Sequence, residues 1–98
     1  MRVQLLSSVP HLPPPLRTYE TTYLSIGFGR YDTERKTLTK LIEHPDGSWE
    51  MTEMPFEASI FPRAYHAELV RVTLYSESPR LWTETIEDQT FVFQQQID

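Results

Sequence analysis

The chain has no cysteine, which removes disulfide staples, thiolate metal sites and a cysteine nucleophile together. That usage fits a reducing compartment, and a soluble cytoplasmic protein is the expectation. Long hydrophobic runs are missing too. The longest is Phe91-Val92-Phe93, far below the ~20 residues a membrane helix needs. Near the N-terminus the longest is the pair Leu5-Leu6, too short for a secretory signal. Gly27-Phe28-Gly29 lacks the third glycine and the strand–turn–helix setting of a dinucleotide fingerprint. There is no phosphate-binding loop, nucleophile elbow, zinc-protease helix, heptad or internal repeat.

What the chain does have is aromatic and unevenly charged. Ninety-eight residues make one domain, 1–98, with 39% apolar residues, below the ~45–50% of an average globular chain on a count that includes glycine. Five Tyr, five Phe and two Trp partly offset the deficit, because each ring can bury roughly 150–250 Å². Residues 1–49 hold six bases and five acids, whereas residues 50–98 hold three bases and nine acids. Such an acidic half repels phosphate backbones, so nucleic acid is disfavoured as a partner.

Period-2 alternation dominates the pattern. Val3 and Leu5 alternate with Arg2 and Gln4. Residues 9–16, Val-Pro-His-Leu-Pro-Pro-Pro-Leu, form an extended proline-rich arm, because consecutive prolines fix φ and remove donors. Pro10-His11-Leu12-Pro13 also has the P-x-x-P spacing of a peptide ligand. In Tyr19–Phe28, residues Leu24, Ile26 and Phe28 share one face and Tyr19, Thr21 and Tyr23 the other. Asp32–His44 reads as a strand, with a helix capped by Asp32 as the alternative. The turn signature Pro45-Asp46-Gly47 then leads into a hairpin partner, Ser48–Thr52. Pairing Ile42 with Met51 would gather Leu38, Ile42, Trp49 and Met51 on one face and set Lys40 opposite Glu53. Phe56–Phe61 reads as an irregular connection or edge strand, Arg63–Glu68 as one helical turn, and Leu69–Tyr75 as a strand.

Leu81–Ile86 and Phe91–Gln96 frame a final hairpin. A two- or four-residue loop puts Trp82, Ile86, Phe91 and Phe93 on one face and leaves Thr83, Thr85, Val92 and Gln94 outside. Either loop is read as pairing Ile86 with Phe91 and Glu84 with Phe93. Glu84 then falls among large apolar neighbours, which suits a wet end of the sheet or a specific contact carboxylate. The expected fold is mainly β, a small antiparallel barrel or sandwich of about six short strands, with one short helix in an α+β variant.

Candidate chemistry is sparse. His66 and Glu68, at i and i+2, share a strand face but lack the third ligand of a zinc site or a nucleophile to serve. The carboxylate pairs Glu84 with Glu87 and Glu50 with Glu53 would need a deep flanking cleft for glycosidase work. No catalytic residue, metal or cofactor is therefore assigned, and the chain is expected not to be an enzyme. The expected role is a protein-binding factor, an inhibitor, immunity or accessory subunit, whose acidic C-terminal half meets a basic partner through Glu84, Glu87 and Asp88. One alternative is a single-stranded nucleic-acid module using Tyr19, Tyr23 and Tyr31 with the bases of Arg30–Lys40. Another is a small-molecule-binding barrel with Trp49 and Trp82 lining a pocket. An unpaired edge strand would also permit a homodimer.

Overall fold

The computed structural model describes residues 1–8, 11–27, 29–57 and 64–97. Its strands are β1 (Arg2–Leu6), β2 (Arg17–Ile26), β3 (Gly29–Asp32), β4 (Thr37–Glu43), β5 (Trp49–Pro55), β6 (Ala64–Glu77), β7 (Arg80–Ile86) and β8 (Gln89–Gln95). They close into an antiparallel barrel in the order β1-β5-β4-β3-β2-β6-β7-β8. The barrel is thus the outcome, with eight strands rather than about six. Among the described residues there is no helix, so neither helical alternative holds. Asp32–His44 divides into the end of β3, a turn and β4, and residues 64–68 belong to β6. No helix is long and apolar enough to cross a membrane among the described residues.

Closure gives every strand two neighbours. The edge-strand homodimer loses its premise, because a closed barrel presents no free edge along a whole strand. The weakest seam is β1 against β5, with only Arg2↔Glu50 and Val3↔Trp49 in register.

Alternation assigns the interior. Val3, Tyr23, Met51, Val70, Val72, Leu74 and Trp82 form the buried core, with Tyr19, Ile86 and Phe93 packed against it. In the last hairpin the turn has two residues, Glu87 and Asp88, and pairs Ile86 with Gln89, Glu84 with Phe91 and Trp82 with Phe93. The expected face is correct, but the pairing sits two residues from the Ile86–Phe91 version.

The β4–β5 hairpin departs further. Leu41, not Ile42, pairs with Met51, and Lys40 lies opposite Thr52 while Glu53 faces Thr39. The cause is the loop. His44 N–H donates to Ser48 O, Gly47 N–H donates to His44 O, and Gly47 adopts a φ of 87°. A three-residue loop ending in a left-handed glycine gives an odd count, and Asp46 fixes it by accepting from the Ser48 N–H and hydroxyl. A slip of one residue exchanges faces. Ile42 ends 63% exposed, while Leu38, 2% exposed, faces away from the interior.

Two patches on the outer wall are also buried. Leu38 pairs with Tyr31 and Met54, near buried Ile26, and Phe56 packs edge-on to Tyr31 with ring centroids 6.2 Å apart. Thr83 and Val92 form the second, although both point outward as expected. Leu6 lies beside Val92, and Leu16 N–H donates to Leu74 O at 2.8 Å. Val9 and Pro10 of the proline-rich arm, Phe28, and most of the 56–61 connection lie outside the described residues.

This register predicts that Leu38→Ala costs about 2–5 kcal/mol, the range for a buried leucine that leaves a cavity. Ile42→Ala should stay within about 0.5 kcal/mol, as exposed changes do. Urea unfolding of both variants checks the order, and equal costs would contradict the pairing.

Candidate functional site

β3 carries Arg30 and Asp32 on the inner face, paired with Ser25 and Tyr23 of β2. Across the barrel, β7 points Trp82 and Glu84 inward. Glu84 is 3% exposed, a burial that a carboxylate tolerates only when paired and hydrogen-bonded. Arg30 supplies both. Its Nη1 donates to Oε1 at 2.8 Å and its Nη2 to Oε2 at 2.9 Å, the two-pronged fork that suits a planar guanidinium. The Trp82 indole N–H donates to Oε2 at 3.1 Å. The Arg30 guanidinium carbon lies 3.7 Å from the Tyr23 ring centroid, a cation–π contact.

The electrostatics follow. Burial works against the charge on Arg30, but the hydrogen bonds and charge of Glu84 outweigh it and raise its pKa. Burial pushes the Tyr23 hydroxyl far above its ordinary value, and the nearby Glu84 carboxylate adds to this. On the same face, buried Asp32 accepts from the Thr21 hydroxyl and from the N–H groups of Glu34 and Arg35, each 3.0 Å away. It caps the β3–β4 turn rather than a helix, and so fixes where Arg35 emerges.

Above this floor lies the mouth, the barrel end where β2 begins and where the β3–β4 and β6–β7 turns sit. A cavity of about 210 Å³ opens there, lined by Arg17, Tyr19, Arg35, Val72, Leu74, Glu77, Arg80 and Trp82. A smaller void of about 20 Å³ lies deeper and is bordered by Arg30, Asp32, Thr39, Met51 and Glu84, room for roughly one water. Three arginines and one glutamate thus line the mouth of a chain whose net charge is −5. Arg80 pairs with Glu53 and stacks over Trp82 at 4.6 Å, while Arg17 lies 3.8 Å from exposed Glu77. Phe93 covers Trp82 in a stacked contact, with centroids 5.2 Å apart. Arg35 is in no ion pair among the described residues. It lies over the Tyr19 ring at 5.9 Å, and a hydrogen bond to Tyr19 raises its pKa against partial burial.

The residues chosen from sequence are dispersed by the fold. Glu87 and Asp88 sit together, exposed, at the β7–β8 turn at the end opposite the mouth. Glu84 is a correction. It is neither at a wet end nor in a surface patch with them, because Arg30 and Trp82 draw its carboxylate into the interior. Tyr23 and Tyr31 are both buried on opposite sides of the wall, so with Tyr19 they form no common stacking platform. Trp82 reaches the cavity, whereas Trp49 sits at the start of β5, toward the far end. His66 and Glu68 form an exposed pair at 3.4 Å, and no group of three or more metal-ligating side chains gathers among the described residues. Of the mouth arginines, the sequence singles out only Arg35, among the bases of Arg30–Lys40, and gives no signal for Arg17 or Arg80. Glu84 on an apolar face signals a cation across the fold, and that cation is Arg30 beneath the mouth.

Compared with known proteins, the chain matches no family model, no curated protein and no solved structure.

Two outcomes test this floor. Arg30→Met leaves a buried carboxylate without its fork and should cost about 3–5 kcal/mol in denaturant unfolding. The double change with Glu84→Leu should recover much of that loss, and additive costs would contradict the pairing. Tyr23 sets the second. Its folded pKa lies above the ordinary ~10, so its stabilisation is complete below pH ~10 and is lost as pH rises further. Wild type should lose about 1.4 kcal/mol per pH unit more steeply there than Tyr23→Phe, and parallel alkaline limbs would contradict the burial of its hydroxyl.

Proposed function

We propose that this chain is a small-molecule-binding β-barrel whose ligand enters at the mouth. The observation that carries the reading is the cavity of about 210 Å³, lined by Tyr19, Val72, Leu74 and Trp82 together with three arginines and Glu77. Eight strands give an interior just wide enough to be filled by side chains or to admit one small ligand, and concave sites with a few convergent polar groups are the usual form of ligand pockets. The role is binding rather than turnover. Arg30 and Glu84 are engaged with each other, and the charged groups at the mouth are three arginines and Glu77, which suit holding a ligand.

One observation favours a second reading, the protein-binding role. Leu69, 63% exposed, lies in a shallow groove with Glu20, Arg71, Thr85, Glu87 and Asp88. A basic segment with an apolar anchor would suit that groove.

Titrating phenol into the ¹⁵N-labelled protein and following amide and indole resonances separates the two surfaces. Saturable shifts should centre on Tyr19, Val72, Leu74 and the Trp82 indole. Shifts confined to Leu69, Glu87 and Asp88, or none at saturation, would contradict the mouth as the binding site.

A further inference from the structure

Resting on that ligand-binding reading, we propose that the occupant of the mouth cavity is a small organic carboxylate: a compact apolar body about one six-membered ring in size, bearing a single negative charge that Arg35 receives.

Size sets the body. An apolar protein cavity of ~150 Å³ holds one benzene. The mouth cavity, at about 210 Å³, therefore has room for such a ring and one small substituent. Val72 and Leu74 give it an aliphatic wall. Trp82 contributes an edge rather than a face, since Phe93 and Arg80 lie against its ring. The ligand's body is thus held by shape and burial, not by stacking on Trp82.

Charge sets the head group. The three rim arginines, set against Glu77 and Glu53, leave a surplus of one positive charge, which favours an anion over an ammonium. The number of negative charges follows from the pairing. Arg80 already holds Glu53 and Arg17 faces Glu77, which leaves Arg35 as the rim guanidinium in no ion pair among the described residues, with Glu53 and Asp32 acting on it only from farther off. One ligand carboxylate supplies its partner, in the planar geometry a guanidinium can grip with two N–H groups. A dianion would have to displace Glu53 or Glu77 to gain more. Asp32 anchors the turn that presents Arg35, so the receiving group is set on the barrel's frame rather than on a free loop.

Isothermal titration at pH 7 with benzoate, benzyl alcohol, benzylammonium, phenyl phosphate and acetate tests both the body and the charge. Benzoate should bind at least tenfold more tightly than benzyl alcohol, and more tightly than phenyl phosphate or acetate, with no binding of benzylammonium. Arg35→Gln should weaken benzoate about tenfold, leave benzyl alcohol within twofold, and leave the thermal midpoint unchanged. If benzyl alcohol binds as well as benzoate, or Arg35→Gln binds benzoate normally, the carboxylate inference fails while the ligand-binding reading stands. Tighter binding of phenyl phosphate would overturn the single-charge argument. If none of the five binds, the ligand-binding reading itself fails.

Discussion

A carboxylate sealed inside a barrel has to be answered by a cation, and the grip of Arg30 on Glu84 is the constraint around which this interior is arranged. Glu84 sits between Trp82 and Ile86 on the inner face of its strand. Unpaired, such a group would oppose folding by several kcal/mol. Paired, it ties β7 to β3 across the interior, although the two strands are not neighbours in the sheet. Tyr23 lies against the guanidinium and the Trp82 indole caps the carboxylate, so two large core rings take their orientation from one ion pair. A hydrophobic pair of equal volume would fill the same space with less directional preference. The fork fixes which residue of β3 meets which residue of β7.

That arrangement also accounts for what remains open. With Arg30 and Glu84 filling the middle of the barrel, the interior divides into a polar floor and a wider mouth above it. The mouth holds a surplus of one arginine, because the turns that end there carry Arg35 and Arg80 and β2 begins there with Arg17, against Glu77 and Glu53. The surplus acids lie elsewhere, several around the β7–β8 turn at the opposite end. A net charge of −5 therefore misdescribes the surface a ligand would meet, since a concave, partly desolvated cluster of cations sets its own local field.

The sequence discloses the strands and much of the inner face. Tyr19, Thr21 and Tyr23 alternate against Leu24 and Ile26, and Trp82 alternates with Phe91 and Phe93 across the last turn, because a wall one strand thick imposes a period of two. Two things did not show. Leu38 and Ile42 both read as core, but one glycine at positive φ shifted the β4–β5 register and sent one to a covered patch and the other to solvent. Thr83 and Val92 point outward yet are buried, an outcome that no local pattern encodes. The site was hidden for the same reason. Arg17, Arg35 and Arg80 are far apart in the chain, and only closure brings their three strand ends to one rim. Glu84 was noticed as anomalous, but its partner lies 54 positions away.

The most direct measurement of this account is hydrogen exchange at the Trp82 indole N–H, followed by NMR under native conditions. If Glu84 is held inside the barrel by Arg30 and Trp82, that proton exchanges only through global unfolding, as slowly as the most protected core amides. Exchange as fast as the amides of the Glu87–Asp88 turn would show that Glu84 is not enclosed, and would contradict the floor on which the mouth cavity rests.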